Sequence, residues 1–169
     1  MKTFSLPIER PFLIRTQANA GKTKIMKPAT LTLPAKFQHI GLKSAIDKLL
    51  VTYLPQAVAN KTVMINRVEE DTQLIVEIDT FTQVLASVIS IMSRYTNQSC
   101  ISVSTKSFHS IVLIHFRDNS ILNEPAAVVE LQKLQPFAEK LGGSITVNIA
   151  PSQLATVTLS LLNKSIPQQ

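Results

Sequence analysis

Apolar residues recur every three or four positions in three segments of the chain, which is the spacing of a helix with one buried face. The first segment covers residues 42–58, and the third runs from Pro125 to Leu141. The second, residues 80–96, is the best defined. Its repeating apolar positions are Phe81, Val84, Leu85, Val88, Ile89, Met92 and Tyr95. The pattern therefore predicts three amphipathic helices.

Between these helices the pattern changes to alternation of apolar and polar residues, which is typical of strands. The alternating segments are residues 61–67, 73–79, 100–106, 110–117, 144–149 and 154–162. They come in pairs with short connections, and short connections join antiparallel strands. We therefore expect three hairpins, the first closed by the polar turn E-E-D-T at 69–72.

Local signals give expected helix ends. Thr80 and Gln83 match a capping box at the start of the second helix. Pro55 is expected to end or kink the first helix, and Pro136 to kink the third. The pair Gly142–Gly143 then supplies a stop.

The resulting order from residue 42 is α-ββ-α-ββ-α-ββ, which predicts a fold class. Strand pairs separated by helices indicate an α+β protein, a two-layer α/β sandwich. Its sheet is expected to be mixed and mainly antiparallel, with the helices on one face. The domain should cover residues 41–163, between an N-terminal arm of residues 1–40 and a frayed tail of residues 164–169.

The arm differs from the rest of the chain in charge. Residues 1–40 hold seven Lys or Arg and one Glu, which accounts for the whole formal net charge of +6. Four prolines exclude a long helix there, so we expect a partly extended arm. A basic arm can bind nucleic acid, an anionic membrane or an acidic protein face. The positive charges are spread out with few aromatics, so nucleic-acid binding is not favoured.

Composition excludes several classes of protein. A hydrophobic content of 45% and a charged content of 17% exclude bulk disorder. The single cysteine, Cys100, excludes an internal disulfide and suits a reducing compartment. No apolar run is long enough to span a bilayer, so a cytoplasmic protein without membrane insertion is expected. His39, His109 and His115 show no metal-ligand spacing and no nucleophile–base pair, so no metal site is predicted.

Four short strings follow one another in a familiar order: D-T-F-T-Q-V-L at 79–85, R-D-N-S at 117–120, L-G-G-S-I at 141–145 and A-T-V-T-L at 155–159. Together with the order of elements, they make residues 42–162 resemble the ATP-binding domain of sensor histidine kinases. That domain belongs to the GHKL ATPase superfamily and has the Bergerat fold. The resemblance implies that fold here.

The family's magnesium motif is changed. The family carries two asparagines in the pattern Q-V-L-x-N-L-x-x-N, and the second binds magnesium. The matching string Q-V-L-A-S-V-I-S-I, residues 83–91, has Ser87 and Ile91 at those positions. Isoleucine offers no oxygen, and magnesium requires oxygen ligands. Arg94 and Tyr95 keep the basic and aromatic character usual in the family.

The adenine motif D-x-G-x-G is half kept. It reads D-N-S-I-L at 118–122, so Asp118 and Asn119 match while Ser120 and Leu122 replace the glycines. Those glycines let the backbone approach the ligand. The resemblance leaves Asp118 and Asn119 as the candidate adenine-binding residues, and an aspartate in a strand-ending turn is the ordinary alternative.

The phosphate-binding motifs are lost. The glycines that end the family's lid correspond to Val128 and Glu130, and a carboxylate there would repel a triphosphate. The last motif, G-x-G-T, is Q-L-A-T at 153–156, where Thr156 alone matches. The lid itself is deleted, since Ser120 leads almost directly to Pro125 and the next helix.

These changes imply a pseudo-ATPase without catalytic residues. ATP and magnesium are not expected to bind productively, and no cofactor is predicted. Because kinase ATPase domains dock on other signalling proteins, the resemblance implies a protein-interaction or regulatory module in two-component-type signalling. A homodimer that exchanges its arm is also compatible with the sequence.

Three alternatives remain open from the sequence. The first is weak, magnesium-independent nucleotide binding by Asp118, Asn119 and Thr156. The second is binding of nucleic acid or an anionic surface through the basic arm, which would weaken steeply with salt. The third, a true ATP-dependent kinase, conflicts with the loss of metal ligand and glycines, since these supply most of the catalysis of phosphoryl transfer.

Overall fold

The computed structural model describes residues 37–118, 125–150 and 154–163. Strands and helices follow one another along these ranges. They are β1 (Phe37–Gly41), α1 (Leu42–Ala59), β2 (Val63–Asn66), β3 (Gln73–Glu77), α2 (Ile78–Tyr95), β4 (Cys100–Phe108), β5 (Ile111–Asp118), α3 (Pro125–Gln132), α4 (Gln135–Lys140), β6 (Ser144–Ile149) and β7 (Ala155–Leu162).

The main sheet has five strands in the order β2-β4-β5-β7-β6. Strand β2 lies parallel to β4, and the other neighbours are antiparallel. Burial alternates along β5 and β7, so each strand has one buried face and one partly exposed face. The helices cover the buried face. The predicted α+β sandwich with a mixed, mainly antiparallel sheet is therefore confirmed.

Helix α2 lies at the centre of the helix layer and fills the core as its pattern predicts. All of its repeating apolar residues from Phe81 to Met92 are buried, and Tyr95 packs partly buried against them. They meet the buried side chains of the sheet, among them Val103, Ile114, Phe116 and Leu159. None of the helices in the described ranges is both long and apolar enough to cross a bilayer.

The prediction that β2 and β3 form a hairpin is wrong. Strand β2 joins β4 in the main sheet, and β3 instead pairs antiparallel with β1 in a separate two-stranded sheet. Between β2 and β3, the side chain of Val68 is buried and its N–H donates to Asn66 Oδ1 at 3.0 Å. This anchored residue turns the chain away from β2. A parallel β2–β4 pair then requires the long crossover that α2 provides.

Residues 37–40, which the sequence analysis placed in the N-terminal arm, belong to strand β1. Gly41 lies opposite Gln73, and the pairing extends to Phe37 opposite Glu77. The rest of the arm, which is expected to be partly extended, lies outside the described residues, as does the tail 164–169.

Two helix ends differ from their prediction. Helix α2 starts at Ile78, and its N-cap is Glu77, whose side chain accepts from the N–H groups of Asp79 and Thr80. The predicted capping box at Thr80 is therefore wrong, because the Glu77 carboxylate caps the helix three residues earlier. Helix α1 continues through Pro55 to Ala59, so the helix end expected near Pro55 is wrong, while the alternative of a kink there stays a prediction.

The third helical segment is broken near Pro136, as predicted. It divides into α3 and α4, and Pro136 stands in the first turn of α4, where its missing N–H has no helical partner. The chain then turns at Gly142, whose φ of 76° favours glycine. A Cβ on Gly143 would lie 1.7 Å from the carbonyl oxygen of Ser160, so β7 passes directly over this residue.

Candidate functional site

A cleft of about 510 Å³ opens between α1, α2 and the segment that joins α3 to α4. Its volume is within the usual range for small-molecule sites. The side chains that line it come mainly from the polar side of α2. They are Tyr53, Gln83, Ala86, Ser87, Ser90, Ile91, Arg94, Glu130, Lys133 and Leu134.

The positions that correspond to the family's two asparagines both line this cleft. Ser87 and Ile91 stand one helical turn apart on α2. Ile91 is 6% exposed and packs with the core. The position that would offer a metal-binding oxygen thus presents hydrocarbon. Within the described ranges, moreover, no three His, Cys, Asp or Glu side chains gather closely enough to hold a metal ion.

One carboxylate, that of Glu130, spans the far end of the cleft. Its Oε1 accepts a hydrogen bond of 2.9 Å from the Tyr95 hydroxyl, and its Oε2 lies 3.3 Å from Arg94 Nη2. The Glu130 side chain is 31% exposed and that of Arg94 is 49% exposed. The two helices α2 and α3 are therefore linked across the cleft by an ion pair and a charge-assisted hydrogen bond.

Glu130 also sets the electrostatics of the cleft. Arg94 and Lys133 are the cations among the lining residues, and Glu130 is their acidic counterpart. Among the described residues that line the cleft, its pairing with Arg94 leaves Lys133 as the positive charge without an acidic partner. A protein site for a triphosphate gathers several donors and cations around the phosphates. In this cleft an anion, the carboxylate of Glu130, already lies beside Arg94.

Asp118 ends β5 on the helix-facing side of the sheet. It is completely buried, and its Oδ1 accepts a hydrogen bond from the hydroxyl of Ser99. It does not line the 510 Å³ cleft. In this position Asp118 connects the end of β5 to the residue before β4, which is an ordinary structural role for a buried carboxylate.

The structure does not bring Asp118 and Thr156 together. In the β5–β7 ladder Asp118 lies opposite Ala155, and Thr156 lies opposite Arg117. Since successive residues of a strand face opposite sides, Thr156 lies on the sheet face away from the helices. Asn119 falls outside the described residues. Asp118 and Thr156 therefore lie on opposite faces of the sheet.

The sequence identifies the altered positions but not their mutual contact. It indicates that Glu130 is an obstacle to phosphate and that Arg94 and Tyr95 keep the family's residue character. The pairing among them joins residues 35 positions apart along the chain. Opposite charge was the one available signal, and it does not specify a partner at that separation.

Comparison with known proteins supports the fold. No protein-family model and no curated protein matches the sequence of this chain. The fold is similar to histidine kinase AdeS of Acinetobacter baumannii, with a TM-score of 0.67 and 16% identity over 79% of this chain and 70% of that one. It is also similar to the nucleotide-free catalytic domain of histidine kinase ThkA, with a TM-score of 0.60 and 12% identity over 76% and 97%.

A third similar structure holds ThkA in complex with the response regulator TrrA. Its TM-score is 0.61, with 11% identity over 76% of this chain and 42% of the kinase chain. At such low identity, these similarities establish the fold alone. The chain has the fold of histidine kinase catalytic domains, as the sequence resemblance implies.

Proposed function

We propose that this chain is a non-catalytic module with the histidine kinase ATPase fold, which acts by binding a protein of a two-component-type signalling system. The observation that carries the proposal is the ion pair of Glu130 with Arg94, two residues that line the cleft, together with the hydrogen bond from Tyr95 to the same carboxylate. In this arrangement the protein's own carboxylate is paired with the Arg94 guanidinium, the cation that an anionic ligand at this place in the cleft would need.

The position that binds magnesium in the family lacks an oxygen ligand in this chain. Magnesium binds near-octahedrally to oxygen atoms and is reluctant to give up its water. The Ile91 side chain presents carbon where the family motif presents an amide oxygen, and it is held by core packing. Without the metal, the charge of a transferring phosphoryl group lacks its main counterion.

Electrostatic repulsion between the Glu130 carboxylate and a bound phosphate also opposes nucleotide binding. A phosphate brought to Arg94 would lie close to the carboxylate of Glu130, which is 3.3 Å from the same guanidinium. Two unit negative charges 4 Å apart repel by roughly 4 kcal/mol at an effective dielectric constant of 20. Binding would therefore require that the Arg94–Glu130 pair be broken first.

A role in protein binding is supported by what remains intact. The buried apolar face of α2 and the turn at Gly142–Gly143 are intact. The residues that shape the fold are therefore present, whereas those that would bind metal and phosphate are replaced. One protein with this fold, ThkA, forms a complex with a response regulator. We infer a partner of the same signalling class for this chain.

Calorimetric titration of the full chain with ATP, with and without magnesium, tests the loss of nucleotide binding. We expect no saturable heat up to millimolar nucleotide and no ATP turnover. Saturable binding that disappears in Arg94→Gln and survives in Lys140→Gln would overturn the proposal, because it would place nucleotide in the cleft. Lys140 carries the same charge on α4 and does not line the cleft.

Affinity capture from cells that express the chain tests the partner. A response regulator or a histidine phosphotransfer protein should be retained by the folded chain. Gly143→Ala, which is expected to destabilise the domain strongly, gives the background. If no two-component protein is enriched over that background, the partner assignment is wrong.

A further inference from the structure

The face of the main sheet that points away from the helices has an unusual composition. In the β4–β5–β7–β6 register, three rows of residues lie side by side on this face. The rows are Lys106, Leu113, Ser160 and Ser144; Ser104, His115, Thr158 and Thr146; and Ser102, Arg117, Thr156 and Asn148. We call these twelve positions the open face.

The open face carries positive charge without any compensating acid. Its members are eight hydroxyl or amide side chains, one leucine, Lys106, His115 and Arg117. An ordinary solvated sheet face mixes both signs of charge. Neighbouring strands lie about 4.8 Å apart and alternate residues about 6.8 Å apart, so this surface measures roughly 14 Å in each direction.

Two of the three rows satisfy much of their own hydrogen bonding. The hydroxyls of Ser144 and Ser160 lie 2.8 Å apart. In the middle row, His115 Nδ1 and Thr158 Oγ1 are separated by 3.0 Å. These contacts hold short side chains flat against the sheet.

The third row differs, because its polar groups are available. Within the described ranges, the side chains of Arg117, Thr156 and Asn148 make no hydrogen bond and no salt bridge with the protein. They line a shallow concavity of about 230 Å³, with Ala150 and Leu154 as its apolar side. A guanidinium, an amide and a hydroxyl thus converge on one space beside hydrocarbon.

This donor set matches a carboxylate on a short apolar stem. Arginine presents paired N–H donors that fit the two oxygens of a carboxylate. Ala150 and Leu154 would contact the methylene groups of an acidic side chain. Sequence-tolerant binding of nucleic-acid strands generally uses aromatic side chains for base stacking, and the open face has no Phe, Tyr or Trp.

We propose that the open face binds an acidic segment of a partner protein, with one side-chain carboxylate seated against Arg117 in the concavity formed with Asn148 and Thr156. This inference rests on the proposed protein-binding function and assigns it a surface and a partner chemistry. Lys106 lies one strand away and two rows along, where a second carboxylate of the segment would meet it.

The probe is a glutamate-rich decapeptide, titrated into the isotope-labelled full chain and followed residue by residue by NMR. We expect the largest shifts at the amides of Arg117, Thr156 and Asn148. Arg117→Gln should weaken binding about tenfold, the effect of losing one charge-assisted hydrogen bond. Thr156→Val should weaken it less, and Lys140→Gln on the helix layer should leave it unchanged.

Residue-level shifts separate the open face from the basic residues 1–36, which also attract acidic peptides. Shifts confined to residues 1–36, or equal losses in Arg117→Gln and Lys140→Gln, would overturn the proposal. So would tighter binding of a single-stranded DNA of equal charge at the same residues, since this would point to nucleic acid. An Arg117→Gln chain that is unfolded is recognised by its spectrum, and Thr156→Val together with Asn148→Ala then provides the test.

The outcome is independent of the nucleotide test. If ATP binds the cleft while the peptide binds the open face, the pseudo-ATPase assignment fails and the surface assignment stands. If neither ligand binds, the nucleotide result holds and the acidic partner is excluded.

Discussion

Glu130 and Arg94 connect two helices across the cleft, with Glu130 Oε2 3.3 Å from Arg94 Nη2. Tyr95, next to Arg94 on α2, donates to the other carboxylate oxygen. Because both members of the ion pair are partly exposed, its contribution to stability is expected to be small. We propose that its effect on what the cleft can bind is large. These two effects can be measured separately.

A double-mutant cycle should measure how much this ion pair contributes to the free energy of unfolding. We expect Glu130→Gln to lower the free energy of unfolding by about 1 kcal/mol, because the ion pair is lost and the Tyr95 hydrogen bond is weakened. The coupling energy with Arg94→Gln should be below about 1 kcal/mol and should fall with salt. Urea unfolding at low and high salt measures both quantities. Strictly additive single mutants would show that the contact contributes nothing to stability.

The two adjacent glycines after α4 should differ sharply in their tolerance of alanine. Gly143→Ala would place a Cβ 1.7 Å from the Ser160 carbonyl oxygen, so a backbone shift is required. We expect a loss of about 3 kcal/mol or more, as severe overpacking produces. Gly142→Ala meets only the Leu162 side chain at 3.2 Å but keeps a positive φ, which should cost about 1 kcal/mol. Chemical denaturation of the two variants gives the comparison, and similar losses would contradict it.

The N-cap of α2 predicts that the free energy of unfolding decreases in acid. Hydrogen bonding to Thr80 lowers the pKa of Glu77 from its ordinary value of 4.5, and the helix N–H groups add to this. A lowered folded-state pKa gives stability that is present above about pH 4.5 and is lost as pH falls through the folded pKa. Glu77→Ala should cost about 1 kcal/mol at neutral pH, as for other caps. Asp79→Asn is the matched control, since Asp79 lies in the same turn and does not cap it.

In the Glu77→Gln variant an uncharged acceptor remains at the cap. Most of the neutral-pH stability should persist, and the acid-dependent part of the stability profile should flatten. An unchanged profile would assign the acid dependence to another carboxylate.

His115 predicts a second pH effect at higher pH. Burial lowers the pKa of His115 below 6.5, and the positive charges of Arg117 and Lys106 lower it further. The unfolded chain then binds more protons than the folded one, so stability should fall as pH decreases from about 6.5 through the folded pKa. Thermal unfolding of the wild type and His115→Gln between pH 7.5 and 5 tests this. We expect a smaller decrease in the variant, and equal decreases would locate the proton uptake elsewhere.

The sequence predicts local features of this fold better than pairings between distant segments. Helix α2 and its buried face, from Phe81 to Met92, follow from a periodicity that is complete within the helix itself. The pairing of β2 does not follow from a local pattern, because its partner β4 lies beyond β3 and α2 along the chain. The polar turn at 69–72 suggested a local hairpin, while the burial of Val68 and the pairing of β3 with β1 decided the topology.

In the candidate site, too, single residues could be interpreted from the sequence, whereas contacts between distant strands could not. Ile91 and Glu130 could be identified from residue type alone, since neither side chain suits its position in the family motif. The side of the sheet on which Thr156 lies depends on register, and one residue of register exchanges the two faces. The sequence does not predict the concavity around Arg117, because its polar residues come from three different strands, β5, β6 and β7.

Arg117 and Asp118 are consecutive in β5, yet one lies on the open face and the other is buried beneath the helices. A slip of β5 by one residue would bring a guanidinium into the apolar interior and expose Phe116, at a cost of several kcal/mol. The same buried residues that hold the core thereby hold the open face in alignment. Substitutions that keep the hydrophobic interior in register therefore also keep the side chains of the open face in their places.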